Sequence, residues 1–141
     1  MARTPNVFQP IGPGIWNTNS YLSSGIPYVT GAVLLSSSFS TLNAQVKIEF
    51  PYITRSVTVI NRSATDIRLH FNSLSDGNVE ANHHYITLSE SKDSITFSVK
   101  TKELYISLAT GSANGEFELF GELTNIPVTE MFSLTGSGLT I

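Results

Sequence analysis

Residues Ser94 to Ser107 read SITFSVKTKELYIS. Ile95, Phe97 and Val99 alternate with polar residues, and beyond Lys100-Thr101-Lys102 the alternation resumes in Leu104, Ile106 and Leu108. A period of two sends successive side chains to opposite faces of an extended chain, so each half is a strand with one buried face. Upstream the same pattern returns in Val46, Ile48 and Phe50, in Val57 and Val59, in Ile67, Leu69 and Phe71, and in Ile86 and Leu88. Downstream it returns in Phe117, Leu119 and Leu123.

Turn-forming residues separate these segments at intervals of about 8 to 12 residues, the spacing of an all-β sandwich or barrel. Strands are expected at Ile26–Leu35, Gln45–Phe50, Ile53–Arg62, Asp66–Ser73, His83–Leu88, Ser94–Lys100, Glu103–Ala109 and Glu116–Thr124. Gly31 marks a candidate bulge in the first of them. Pro51 cannot donate to a ladder, so the chain there is either one bent strand or two strands at a corner of the sandwich. In Asp66–Ser73, Ile67, Leu69 and Phe71 are expected to face inward and Arg68, His70 and Asn72 outward. No stretch carries helical periodicity. The fold expected is all-β: a single eight-stranded antiparallel jelly-roll sandwich over residues 26–141, preceded by an extended N-terminal arm over residues 1–25.

The arm holds Pro5, Pro10 and Pro13 with Gly12, Gly14 and Gly25, which resist helix and sheet interiors. Large apolar groups are interleaved with them, and unstructured linkers avoid such groups. Either the arm caps its own barrel, or Phe8, Ile11, Ile15 and Trp16 anchor it in a neighbouring subunit. No uninterrupted apolar run occurs in MARTPNVFQPIGPG, so neither a signal peptide nor a membrane span is expected.

Only 13% of the 141 residues are charged, the net charge is −3, and the eight basic residues are scattered. The field that drives nucleic-acid binding is therefore missing. Polarity comes instead from 19 Ser, 15 Thr and 10 Asn, neutral groups that desolvate more cheaply than charges and suit contact with protein or sugar. With no cysteine there is no disulfide framework, zinc-thiolate site or cysteine nucleophile. The one sequon, Asn61-Arg62-Ser63, reads as a turn.

His70, His83 and His84 invite a metal, but neighbours in a strand point to opposite faces, so His83 and His84 cannot both join His70 without a bulge. Serines could be grouped with His70 and Asp66 or Asp93, yet with so many serines such triples arise by chance, and no nucleophile elbow is present. Glu116 and Glu118 lie about 7 Å apart on one strand face, the ordinary arrangement of solvated acids. No catalytic residue, cofactor or metal is assigned. Tyr85, Tyr105 and Phe120 each lie opposite the apolar set of their strand and are expected as exposed contact groups.

FPYITRSVTVINRS (Phe50 to Ser63), DIRLHFNS (Asp66 to Ser73), GNVEANHHYITLSE (Gly77 to Glu90), SITFSVKTKELYIS and FSLTGSGL (Phe132 to Leu139) together resemble, in the same order, the small single-jelly-roll capsid proteins of large icosahedral double-stranded DNA viruses of algae and protists. The resemblance spans roughly residues 46 to 139. It implies a non-enzymatic shell component, either a penton or a minor capsid protein binding major-capsid capsomers together. Its partners would be the major capsid protein and copies of itself in a homo-oligomer, which the penton case makes a pentamer and the minor-protein case leaves open. Assembly would occur in the host cytoplasm and the mature location would be the virion. The other function expected from these residues is a carbohydrate-binding β-sandwich or attachment module using Tyr85, Tyr105 or Trp16, with Asp76, Asn78 and Asn82 as polar partners.

Overall fold

At Phe50 and Pro51 the chain leaves one sheet and enters the other. Strand β2 (Gln45–Glu49) pairs with β7 (Glu103–Leu108), whereas β3 (Tyr52–Asn61) pairs with β6 (Ser94–Phe97) and β8 (Gly115–Pro127). Pro51 therefore separates two strands, and the missing N–H falls where no ladder needs it. The computed structural model describes residues 15–16, 25–39, 45–74, 78–89, 91–136 and 138–139. The remaining strands are β1 (Ile26–Leu34), β4 (Ile67–His70) and β5 (Ile86–Leu88).

Two four-stranded antiparallel sheets result, in the orders β1-β8-β3-β6 and β2-β7-β4-β5. Most connections cross from one sheet to the other, the interleaving of a jelly roll. SITFSVKTKELYIS is one such crossing: its halves, β6 and β7, lie in opposite sheets and do not pair with each other. The core sits between the sheets. Val57, Val59, Phe117 and Leu119 from the first sheet belong to one buried cluster with Ile48, Ile67, Leu104 and Ile106 from the second, as the alternation requires.

Crossings break ladders, and the backbone groups freed there must find other partners. At the start of β3 the register against β8 shifts twice between Tyr52 and Ser56. Buried Thr54 fills the gap: its hydroxyl donates to the Val99 carbonyl at 2.7 Å and accepts from the Thr101 N–H at 3.1 Å. Its own N–H donates to the Thr101 carbonyl, and the Phe50 N–H donates to the Lys102 carbonyl, so the two crossings are laced together. Thr124, also buried, donates to the Ile53 carbonyl at 2.7 Å.

At the far end of β3, fully buried Asn61 donates its amide to the Thr65 and Leu88 carbonyls at 2.9 and 3.0 Å. Its side-chain oxygen accepts from the N–H and hydroxyl of Ser63. The sequon is thus folded inward, and its asparagine is committed to the connection between the sheets.

Several expectations are corrected. The β1–β8 register runs unbroken from Ile26 to Leu34, so Gly31 is no bulge; a Cβ there would lie 2.7 Å from the Phe117 carbonyl oxygen, and the close approach is what requires glycine. A short helix, α1 (Asn78–Ala81), interrupts the β4–β5 connection, so the fifth strand starts at Ile86 and not at His83. Ile15 is buried in a second cluster with Ile53, Ile126 and Met131, inside its own chain. Phe8 and Ile11 lie outside the described residues.

Leu119→Ala, at a site 1% exposed, is expected to cost about 2 to 5 kcal/mol in urea unfolding. Val29→Thr, at a site 75% exposed on the same sheet, is expected to stay within about 0.5 kcal/mol.

Candidate functional site

The outer faces of the two sheets differ in what covers them. Over the second sheet, the described parts of the β4–β5 connection, residues 71–74 and 78–85, are tied to the strands. Gln45 on β2 holds it at one point, donating to the Ser73 hydroxyl at 2.8 Å and accepting from the Leu74 N–H at 3.0 Å. Arg68 on β4 holds it at another, 3.1 Å from a Glu80 carboxylate oxygen, with its guanidinium 4.2 Å from the centre of the Tyr85 ring. Lys47, 3.0 Å from Glu49 and 3.1 Å from Glu103, lies toward the Tyr105 ring. Those two carboxylates, Glu49 foremost, hold the Lys47 ammonium above the usual lysine range.

Beneath this cover lie His70 and Tyr105, stacked with ring centres 5.7 Å apart and planes 10° from parallel. Both were expected to face solvent and both are buried. The correction has a simple cause: they do point away from the inter-sheet core, but a connection whose length gave no hint of its path is tied down over them. His70 Nδ1 is 2.6 Å from the Asn72 carbonyl oxygen, which can only accept, so Nδ1 carries the proton. Nε2 then accepts from the Ser107 hydroxyl at 2.9 Å. A serine and a histidine do meet here, but both are sealed from solvent, and a main-chain carbonyl stands where a catalytic pair would have a carboxylate. Among the described residues no group of three His, Cys, Asp or Glu side chains could hold a metal ion.

Among the described residues, none lies across the outer face of the first sheet. Val29, Phe120, Thr58 and Thr96 line up across β1, β8, β3 and β6 in register, with the two threonine hydroxyls 2.9 Å apart. Val33 stands beside Glu116, and Gly31 beside Glu118. Val29, Val33 and Phe120 are 75%, 54% and 43% exposed. Glu118 and Glu122 are engaged by Arg62 and Arg55 at 3.4 and 3.9 Å. The face thus carries exposed valines on β1 with Phe120 beside Val29, then the β8 glutamates, two of them held by arginines, and then hydroxyls. That gradation is the mixture found in protein interfaces.

Of the other residues singled out in the sequence, Phe120 is on this face and Tyr85 is half-buried under Arg68. Trp16, 85% exposed, follows Ile15 of the second cluster, and Phe132, 59% exposed, follows Met131 of the same cluster. Asp76 lies outside the described residues, and Asn82 is exposed. The run IPYVTGAVLL is apolar on both of its faces, and that was the available signal for Val29 and Val33: a strand needs only one apolar face to bury.

A cleft of about 440 Å³ opens where the sheets end, between the edge strands β5 and β6. Its walls are Leu69, Phe71, Ile86, Phe97 and Val99. His83, His84 and Tyr85 close one side. No family model, curated protein or solved structure matches this chain.

Burial is the largest influence on His70 and lowers its pKa below 6.5; the Arg68 cation acts in the same direction, against the hydrogen bond to Asn72. The unfolded chain therefore takes up this proton at higher pH than the folded one, so the stability is complete above about pH 6.5 and is lost as pH falls toward the lowered value. The urea midpoint is expected to drop between about pH 7.5 and about pH 5.5, and to drop less in His70→Gln.

Proposed function

We propose that this chain is a structural component of an icosahedral viral capsid, a penton or minor capsid protein that works by burying surface against neighbouring subunits. The observation that carries this reading is the bare outer face of β1-β8-β3-β6, with Val29, Val33 and Phe120 standing together in solvent on a jelly-roll framework. Clustered exposed apolar groups of this kind mark contact surfaces. The resemblance of residues 46 to 139 to small viral jelly-roll proteins supports the same reading. Fold alone does not, since sandwiches of this kind host many functions.

Mechanistically, such a subunit needs no reacting group. Its rigid sandwich presents β1, with Phe120 of β8, to a neighbour, while the threonine and serine hydroxyls beyond it supply hydrogen bonds that are cheap to desolvate. The carbohydrate-binding alternative is weakened by the burial of Tyr105 and by the Arg68 guanidinium lying on Tyr85.

Light scattering on the purified full-length chain is expected to give a closed oligomer, resolved as a ring by negative-stain microscopy. The double variant Val29→Lys/Phe120→Lys should remain folded by circular dichroism and lose that oligomer. A wild-type chain that stays monomeric at every concentration and forms no complex with capsid subunits would remove the proposal.

A further inference from the structure

Strand β1 ends the first sheet, and the hydrogen bonds of its neighbour decide which of its backbone groups are left over. The Arg62 N–H donates to the Glu116 carbonyl and the Glu116 N–H to the Ser63 hydroxyl, so the Glu116 backbone faces β3. Backbone groups alternate in direction along a strand, and those of Phe117, Leu119, Gly121 and Leu123 therefore face β1. Their register partners are Ala32, Thr30, Tyr28 and Ile26. Pro27, Val29, Gly31 and Val33 are left with backbone groups pointing out of the sheet, where no strand among the described residues pairs with them. Pro27 thus sits where its missing N–H takes nothing from the ladder with β8.

The outward set is complementary to itself. A second copy, turned about a two-fold axis through Gly31, places its Val33 opposite Val29, its Gly31 opposite Gly31 and its Val29 opposite Val33. Each such pair exchanges both of its backbone bonds, and every outward N–H of β1 is used. The side chains agree with this partner. β1 holds no charged residue, so a strand facing its own copy meets no like charge, and a charged strand would find no complement. On the outer face the exposed valines become cross-strand neighbours, with Phe120 beyond Val29. On the inner face Tyr28, Thr30 and Ala32 are only partly buried, at the margin of the core, and a continued sheet would cover them. The other edge of this sheet, β6, matches β1 less well, with four residues against nine.

We propose that β1 pairs antiparallel with β1 of a second copy of this chain, about a two-fold axis at Gly31, joining two four-stranded sheets into one continuous sheet. The pairing rests on the reading of this margin as a contact surface, and it names the partner and the register. An isologous contact joins copies in pairs, so a ring closed through another surface would be doubled by it.

The chain has no cysteine, so disulfide trapping reads only the positions chosen. Full-length Val29→Cys and Val33→Cys are prepared separately, then mixed and oxidised. In this register residue 29 lies about 5.5 Å from residue 33 of the other copy, within disulfide reach, whereas like positions lie about 13 Å apart. Mass spectrometry of the mixture is expected to find a covalent dimer with one chain of each kind, and each variant alone to yield at least about tenfold less. Val33→Pro removes an outward donor and no bond to β8. It is expected to stay folded by circular dichroism and to weaken the wild-type dimer at least about tenfold in sedimentation equilibrium, whereas Val33→Thr stays within about twofold. A mixture that links no more than its components, or a folded Val33→Pro dimer as tight as wild type, overturns the pairing. A wild-type chain that is monomeric at every concentration overturns it too, while the capsid reading would still be decided by complexes with capsid subunits.

Discussion

A jelly roll is limited less by its core than by its crossings, because every strand that leaves one sheet for the other abandons backbone hydrogen bonds in the interior. Here the demand is met at both ends of β3. Thr54, joined by the Thr101 backbone and by Thr124, takes up the groups freed where β2 becomes β3 and β6 becomes β7. Asn61 takes up those freed where β3 leaves for β4. Each of these side chains is small, neutral and able to reach main-chain groups without a charge to desolvate, which is what a buried connector must be. Part of the Ser/Thr/Asn richness that reads as surface in the sequence is therefore internal mortar.

Because the sheets are held together at their crossings, their outer faces are left free to differ. The β4–β5 connection covers one, using Arg68, Gln45 and a four-residue helix, and buries a stacked histidine and tyrosine under it. The other keeps its valines and its phenylalanine in solvent. A monomer would gain by covering both. Asymmetry of this kind fits a protein for which one face is finished within the chain and the other is finished by contact.

The strands and the inter-sheet core were legible because alternation is a local property: each of Val57, Val59, Leu104, Ile106, Phe117 and Leu119 falls where its parity puts it. Parity says nothing about what lies beyond the outer face, and so it predicts exposure for His70 and Tyr105, which the structure buries. Nor could it separate hairpin from crossing between β6 and β7: the alternation runs on through Val99, whereas the crossing takes residues 98–102. Ile15 illustrates a third limit: its apolar character was plain, but its partners Ile53, Ile126 and Met131 are distant in sequence and their convergence depends on the finished topology. The end cleft was invisible for the same reason, since it is defined by where two edge strands stop.

Charge distribution ties these points together. From Thr4 to Val46 the sequence contains no charged residue, and this span includes all of β1, a terminal strand of its sheet. Edge strands are ordinarily protected from pairing with other chains by lysines, inward charges, prolines or bulges. β1 has nine residues, one proline near its start, an unbroken register and no charge. Such an edge would be a liability for a protein that must stay dispersed, and the apolar outer stripe of Val29 and Val33 lies on the same strand. Edge and stripe thus make one continuous uncharged margin, at the opposite end of its sheet from β6 and the cleft beside it. A subunit that meets its neighbours through that margin would have no cause to carry charge there, whereas residues 47 to 141, which carry all but one of the charged side chains, supply the remaining surface with solubility.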